Sequence, residues 1–238
     1  MSEAPARKDT GSAHPLDDVV WNALTSKQRR FALGNDRALR FPAAIARFAS
    51  LADASPASFE ALRRLIEALG SVALITPDEI LPTAGFSVIT HTTLLQMIWQ
   101  GELAPTNVFD HVRLTERDVP EMVALTTATQ PGPFGPRTIE LGNYLGVRRQ
   151  GKLAAMAGER MRLDGYTEIS AVCVDAAFRG RGHAAGLTKL LIAAIRARAE
   201  TPFLHVFKLN HAAIALYRTL GFVERREMHL TVLGGAKT

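Results

Sequence analysis

A glycine-rich turn between an apolar segment and an amphipathic segment constrains the fold of this chain more than any other feature. A strand that ends in such a turn and leads into a helix leaves the first N–H groups of the helix without partners. Those N–H groups, together with the positive end of the helix dipole, attract phosphate. The turn follows apolar residues 169–174, and its residues are Arg179, Gly180, Arg181, Gly182, His183, Ala184 and Ala185. The sequence therefore predicts a diphosphate site in an α/β protein.

The segment after the turn predicts a helix with one buried face, because Leu187, Leu191 and Ile195 recur at helical spacing. The turn is not a Walker loop, since no Gly-Lys-Ser/Thr follows it, and it lacks the Gly-x-Gly-x-x-Gly spacing of dinucleotide sites. Taken alone, it is also compatible with an ordinary connection between a strand and a helix.

A second informative block spans residues 210–222 and reads Asn-His-Ala-Ala-Ile-Ala-Leu-Tyr-Arg-Thr-Leu-Gly-Phe. Asn210 suits a helix N-cap and Gly221 suits the residue after the last turn. Tyr217 lies on the apolar face of the predicted helix. In an arbitrary helix this tyrosine would be read as a half-buried aromatic residue with no chemical role.

Together the two blocks resemble the GNAT superfamily of acetyl-CoA-dependent N-acetyltransferases. The cofactor motif of the family, Arg/Gln-x-x-Gly-x-Gly/Ala, is matched by Arg179, Gly182 and Ala184. Its later motif is matched by Asn210, Ala213, Leu216, Tyr217, Leu220, Gly221 and Phe222. The resemblance covers roughly residues 108–233. It implies a mixed α/β fold in which helices flank a central, mixed but mostly antiparallel sheet, and it implies acetyl-CoA as cosubstrate.

Three parts of the chain are predicted. Residues 1–15 are expected to form a flexible tail, residues 16–105 a smaller α/β unit, and residues 106–238 the catalytic domain. The smaller unit is expected to contain helices near 37–51 and 56–70 and strands near 72–75 and 86–99, followed by a linker over 101–108. It is either a degenerate GNAT-like lobe or an unrelated extension. No second Arg-x-x-Gly-x-Gly/Ala turn occurs in it, so one CoA per chain is expected.

The catalytic domain is predicted to alternate strands and helices. A strand over 109–114 and a helix starting near 118 come first, followed by a hairpin of 144–149 and 153–160 and a strand over 169–174. The helix after the glycine-rich turn, a strand over 203–207, the helix from Asn210 and a strand over 222–233 complete the series.

The resemblance also implies roles for individual residues. Tyr217 matches the general acid that protonates the departing thiolate, and Asn210 matches a residue that touches the pantetheine arm. The backbone that pairs with pantetheine is matched by Val172, Cys173 and Val174. Glu168 is the candidate general base, acting directly or through water, with a pKa raised by partial burial.

His205 and His183 are competitors for the role of general base. A histidine in the middle of a strand, such as His205, is more often a satisfied core residue. His183 replaces the small or apolar residue that is usual in the turn, and we expect it to affect local packing.

Composition sets further limits. The single cysteine, Cys173, excludes an intramolecular disulfide and indicates a reducing cytoplasm. The N-terminus lacks a signal-peptide core, and no apolar run approaches the ~18–20 residues that span a bilayer. The net charge of +5 arises from scattered basic pairs without interleaved aromatic residues, so no nucleic-acid partner is expected. No histidine has metal-ligand spacing, so no metal is expected.

The sequence thus predicts an N-acetyltransferase that moves the acetyl group of acetyl-CoA to a primary amine. The alternatives are a non-catalytic acyl-CoA-binding regulatory module and, from the basic pI alone, a nucleic-acid-binding protein. The proline-rich loop over 130–136 is expected to line the acceptor site. Neither the acceptor nor the choice between monomer and homodimer is specified.

Overall fold

A computed structural model of the chain describes residues 14–80, 85–103 and 109–236. Its five α-helices are α1 (Val19–Thr25), α2 (Pro56–Leu69), α3 (Val119–Thr129), α4 (His183–Arg196) and α5 (His211–Thr219). Its strands are β1 (Leu33–Gly34), β2 (Ala38–Arg40), β3 (Phe48–Leu51), β4 (Val72–Thr76), β5 (Phe86–Trp99), β6 (Val112–Arg113), β7 (Tyr144–Arg149), β8 (Lys152–Leu163), β9 (Tyr166–Val174), β10 (Thr201–Phe207) and β11 (Phe222–Gly235). None of these helices has the length and apolar composition needed to cross a membrane.

All eleven strands belong to one sheet, in the order β1-β2-β3-β4-β11-β5-β10-β9-β8-β7-β6. The two parallel pairs are β3 with β4 and β9 with β10, and the remaining pairs of neighbours are antiparallel. Each parallel pair is connected through one helix, α2 in the first case and α4 in the second. The predicted mixed, mostly antiparallel sheet flanked by helices is confirmed.

Strand β5 lies in the middle of the sheet, although it comes from the N-terminal part of the chain. Its Ile98 is opposite Phe203 of β10, and its Leu94 is opposite Met228 of β11. The side chains of Met97 and Trp99 are buried in the hydrophobic cluster that includes residues of α4 and α5. One sheet therefore contains strands from both sides of the predicted boundary, and the division of the chain there stays a prediction.

The predictions for the N-terminal part were right for one helix and two strands. Helix α2 begins at Pro56, with Ser55 accepting a hydrogen bond from Ser58 N at 3.3 Å, and it ends before Gly70. Strands β4 and β5 are also confirmed. The helix predicted over 37–51 is wrong, because this segment forms β2 and β3. Pro42 cannot donate a helical hydrogen bond, and the buried strands pair antiparallel with each other.

The predictions for the C-terminal part hold for most elements. The hairpin of β7 and β8, strands β9, β10 and β11, and helices α4 and α5 are confirmed within a few residues at their ends. The strand predicted over 109–114 is reduced to the two residues of β6. The short helix α1 and strand β1 were not anticipated. Most of the predicted tail and linker lies outside the described residues, and Pro15 begins a short 3-10 helix.

We predict that residues 106–238 expressed alone will not fold. Removing β5 uncovers the edges of β10 and β11 and takes Met97 and Trp99 out of the core. Each large buried side chain contributes about 1.5–3 kcal/mol, which is a large share of the ~5–15 kcal/mol of a typical domain. The fragment should show no cooperative thermal transition by circular dichroism. Co-expression with residues 14–103 should restore one, and a cooperative transition of the fragment alone would contradict the prediction.

Candidate active site

The site begins where two parallel strands separate. Strands β9 and β10 are paired only from Tyr166–Thr201 to Glu168–Phe203, and beyond that point no further pair joins them. The gap opens into a cavity of about 490 Å³. Eleven of the thirteen predicted site residues line it: Val172, Cys173, Val174, Arg179, Gly180, Arg181, Gly182, His183, Ala184, Asn210 and Tyr217. Ala185 lies in the first turn of α4 without lining the cavity, and Glu168 lies outside it.

The glycine-rich turn has the backbone geometry that its sequence predicts. Gly180 and Gly182 have φ angles of 74° and 75°, in the left-handed region that favours glycine. The first backbone bond of α4 runs from Gly186 N to Gly182 O, at 2.9 Å. The N–H groups of residues 183–185 therefore have no acceptor within the helix. Arg179 and Arg181 are exposed beside these N–H groups, so the turn presents donors and positive charge to the cavity.

His183 is buried in this turn, and neither ring nitrogen has a hydrogen-bond partner in the described part of the chain. Its ring meets that of Phe109 edge-on, with 6.4 Å between centroids. Burial, followed by the charges of Arg149 and Arg181, lowers the pKa of His183. The side chain therefore acts as a neutral packing group, as its sequence position suggested.

A β-bulge at Ala171 shapes the wall of β9 that faces the gap. Ala171 has a φ of 52°, and the register with β8 shifts between Ser170 and Cys173. Such a bulge interrupts the ladder and leaves backbone groups of the bulged strand unpaired. Cys173 is buried beyond the bulge, and burial raises the pKa of its thiol to about 11. This bulge could not be predicted from the sequence, since alanine has no preference for a positive φ.

A second cavity, of about 110 Å³, adjoins the first. The proline-rich loop contributes residues 130–133 to its wall, as expected from the sequence. Phe48, Ile75 and Leu94 of the N-terminal part also line it. Six residues line both cavities and mark their junction: Gln130, Pro131, Val172, Asn210, Ala213 and Tyr217.

Tyr217 stands at this junction. Helix α5 positions it, and the helix is capped by Asn210, whose Oδ1 accepts a hydrogen bond from Ala213 N at 3.1 Å. The Tyr217 hydroxyl has no hydrogen-bond partner among the described residues. Burial, with a smaller contribution from the nearby Cys173, raises the pKa of Tyr217 to about 12. The hydroxyl therefore keeps its proton at neutral pH and is free to donate it to a ligand.

Glu168 differs from its prediction. It is fully buried, and its oxygens accept hydrogen bonds from Arg160 Nε at 2.8 Å and Arg160 Nη2 at 2.6 Å. His205 Nδ1 lies 2.7 Å from Glu168 Oε1. Burial alone would raise the pKa of Glu168, but Arg160 and then His205 outweigh it and lower the pKa to about 2. The expected raised pKa is therefore wrong, because the sequence did not reveal Arg160 as its partner.

His205 is held from both sides. Its Nδ1 faces Glu168, and its Nε2 lies 3.0 Å from Gln96 Nε2. The Gln96 amide also donates to Leu16 O at 2.8 Å and accepts from Arg225 Nη1 at 3.0 Å. These contacts assign the Gln96 nitrogen as donor to His205 Nε2, which leaves Nδ1–H to donate to Glu168. His205 is a satisfied buried histidine, as its mid-strand position suggested. Within the described residues, no cluster of three or more His, Cys, Asp or Glu side chains could hold a metal ion.

The ion pair of Glu168 predicts a specific response to acid. Because the folded protein lowers this pKa from 4.5 to about 2, the pair stabilises the fold above pH 4.5, and this stability is lost as the pH falls towards 2. Glu168→Gln leaves Arg160 buried without its partner. It should lower the free energy of unfolding by about 3–5 kcal/mol at pH 7. Between pH 4.5 and 2, the free energy of unfolding of the variant should therefore fall less than that of the parent.

Urea unfolding across this pH range measures both effects. Glu227→Gln, which changes an exposed carboxylate paired with Lys208, is the matched control and should follow the parent. If the curves of the parent and Glu168→Gln run parallel between pH 4.5 and 2, then Glu168 is not the ionised partner of Arg160.

Comparisons with known proteins agree with this geometry. Residues 144–230 match the family model described as FR47-like protein. A crystal structure from Novosphingobium aromaticivorans, described as an acetyltransferase from the GNAT family, is 40% identical, with a TM-score of 0.88 over 94% of this chain and 100% of that one. None of the curated protein sequences compared with the chain matched it.

More distant structures share the fold. A GCN5-related N-acetyltransferase from Kribbella flavida is 18% identical, with a TM-score of 0.59 over 93% of this chain and 94% of that one. A GCN5-related N-acetyltransferase-like protein from Streptococcus suis is 13% identical, with a TM-score of 0.60 over 90% and 92% of the two chains. The resemblance seen in the two sequence motifs is confirmed, and the chain belongs to the GNAT family of acetyltransferases.

Proposed function

We propose that this protein transfers the acetyl group of acetyl-CoA to a primary amine on a small molecule or at the end of a peptide chain. The observation that carries the proposal is the meeting of two cavities at Tyr217, one of which ends in the glycine-rich turn. The larger cavity fits the cosubstrate and the smaller one fits the acceptor. Release of free thiol from acetyl-CoA, measured across a panel of amines, tests the proposal directly.

The residues of the larger cavity fit each part of acetyl-CoA. The free N–H groups of residues 183–185 and the side chains of Arg179 and Arg181 would hold the diphosphate. The exposed edge of β9 over residues 172–174 would pair with the amides of the pantetheine arm, and Asn210 would contact the same arm. Bound in this way, the thioester would lie at the junction, beside the bulge at Ala171 and the hydroxyl of Tyr217.

Transfer of the acetyl group requires that one C–N bond forms and one C–S bond breaks. The lone pair of the neutral amine attacks the thioester carbon, the new C–N bond forms, and the C–S bond breaks. The proton that the amine nitrogen loses passes to solvent, and the thiolate regains one proton from solvent, so CoA leaves as its thiol. Unpaired backbone N–H groups at the bulge of β9 would face the charge that develops on the carbonyl oxygen.

Tyr217 would act on the departing sulfur mainly as a hydrogen-bond donor. The pKa of Tyr217 is about 12, whereas an ordinary thiol has a pKa of about 8.5. Complete transfer of the phenolic proton to the thiolate would therefore cost about 5 kcal/mol. A donated hydrogen bond stabilises the negative charge on sulfur without that cost.

Glu168 would serve the site by positioning other groups. Its role as general base stays a prediction, and its contacts favour another role. A carboxylate with a pKa of about 2 is a poor acceptor for the proton of an ammonium group, and both of its oxygens already accept hydrogen bonds. We propose that Glu168 fixes the side chains of Arg160 and His205 at the smaller cavity.

The N-terminal part would be a degenerate lobe of the same fold. Support comes from its β3-α2-β4 unit, which repeats the parallel β9-α4-β10 arrangement. At the start of α2, Asp53 Oδ1 accepts hydrogen bonds from Ser55 N at 3.0 Å and Ser58 Oγ at 2.6 Å. These hydrogen bonds lower the pKa of Asp53 to about 2. An ionised carboxylate beside the start of α2 would repel a phosphate there, so this lobe would bind no CoA.

Gly182→Asp should abolish binding of CoA. The new carboxylate would stand at the N-terminus of α4 and repel the diphosphate. Gly182→Asn is the matched control, because asparagine has nearly the same shape, tolerates a positive φ and carries no charge. Calorimetry should give one CoA per chain for the parent. Gly182→Asn should bind CoA more weakly, and Gly182→Asp should not bind it. Equal affinities for Asp and Asn would show that the diphosphate binds elsewhere, and two CoA per chain would contradict the single site.

Tyr217→Phe should lower turnover by roughly 10- to 1000-fold and leave the affinity for CoA nearly unchanged. Only the hydroxyl is removed, and it has no hydrogen-bond partner among the described residues, so the fold should keep its stability. Single-turnover kinetics with saturating acetyl-CoA measure the rate of the chemical step. Unchanged turnover would show that solvent alone stabilises the departing sulfur.

A further inference from the structure

We infer that the acceptor amine carries a carboxylate, which Arg160 binds through Nη1 at the floor of the smaller cavity. This inference rests on the proposed function and names the class of its substrate. The amine and the carboxylate would belong to one small molecule, as they do in an amino acid.

Arg160 has an unused donor in a buried position. The residue is only 7% exposed, and its Nε and Nη2 donate to Glu168. Its Nη1 has no hydrogen-bond partner among the described residues. This nitrogen lies 4.0 Å from where a Cβ on Gly132 would stand, and the guanidinium carbon lies 4.8 Å from the centre of the Phe48 ring. Arg160, Gly132 and Phe48 all line the cavity, and Nη1 is the guanidinium nitrogen that Glu168 leaves free.

The surroundings of Arg160 keep this donor in place. Glu168 accepts hydrogen bonds from the other two nitrogens of the guanidinium. His205 contacts Glu168, and Gln96 contacts His205. Arg225 holds the oxygen of Gln96 and itself pairs with Asp17. A guanidinium held in one orientation, with one nitrogen free of protein partners, favours a ligand that supplies a charged acceptor.

The charge of the cavity wall selects against a cationic acceptor. No aspartate or glutamate is among the described residues that line the cavity, and Arg160 is its one charged side chain. A ligand held by an ammonium group would therefore find no counterion there. A carboxylate would find charge-assisted hydrogen bonds from a guanidinium, which has five N–H donors and gives only two of them to Glu168.

The size and lining of the cavity point to a small molecule. Its volume of about 110 Å³ is less than the roughly 150 Å³ of an engineered cavity that accepts benzene. Besides the loop over 130–133, its wall includes the apolar side chains of Ile75, Leu94 and Leu230. An amine with a carboxylate and a short apolar side chain fits this combination.

Three amines test the inference, each compared at the same concentration of its neutral form: alanine, alaninamide and ethylamine. The parent should use alanine with a kcat/KM roughly 10- to 100-fold above that for the other two, the factor expected for a hydrogen bond to a charged group. In the double variant Arg160→Met/Glu168→Gln, the preference for alanine should disappear. Both members of the ion pair are removed together, so no buried charge is left alone.

Two further variants complete the design. Arg64→Met removes an exposed arginine on α2 and should keep the parent's preference. If the double variant fails to unfold cooperatively, Arg160→Lys takes its place. This variant keeps the positive charge but lacks the planar guanidinium, and it should also reduce the preference for alanine. Each preference is a ratio within one protein, so a general loss of activity does not affect it.

The possible outcomes separate this inference from the proposed function. Equal use of alanine and ethylamine, equal use of alanine and alaninamide, or a preference that survives in the double variant would each overturn the carboxylate site while acetyl transfer stands. If no amine releases thiol, the proposed function fails. Calorimetry of alanine with the CoA-bound protein then decides the inference. Binding to the parent but not to the double variant supports it, and equal or absent binding overturns it.

Discussion

The separation of β9 and β10 after three paired residues is the constraint on which the rest of the site depends. Parallel neighbours normally continue their hydrogen bonds along the sheet, and here the last pair is Glu168 with Phe203. Beyond it, the free edge of β9, the bulge at Ala171 and the start of α4 all face the same gap. One interruption of the ladder thus opens the larger cavity, and Tyr217 is part of its wall.

The ion pair of Arg160 and Glu168 closes the narrow end of this gap. A gap between strands exposes backbone groups, so its narrow end needs polar side chains that hydrogen-bond across it. Glu168 meets that need by joining β8, β9 and β10 through Arg160 and His205. The N-terminal part also contacts this end of the gap, since Gln28 Nε2 donates a hydrogen bond to the carbonyl of Arg160 at 2.7 Å. The same network would hold the acceptor site in place.

The exchange of strands between the two halves explains why the active site uses both. Strand β5 completes the sheet beside β10, and β11 crosses to pair with β4. Phe48 of β3 and Ile75 of β4 thereby reach the smaller cavity, although they lie far from the GNAT motifs in the sequence. The N-terminal half thus contributes part of the wall of the smaller cavity.

The sequence alone determined the local features: the glycine turn before α4, the N-cap of α5, and the family. These depend on backbone preferences within a few residues, such as the positive φ angles at Gly180 and Gly182. Only the tertiary structure decided the central place of β5, the bulge at Ala171 and the pairing of Glu168 with Arg160. These depend on contacts between distant segments, and a buried carboxylate has a raised or a lowered pKa according to the partner that the fold brings to it.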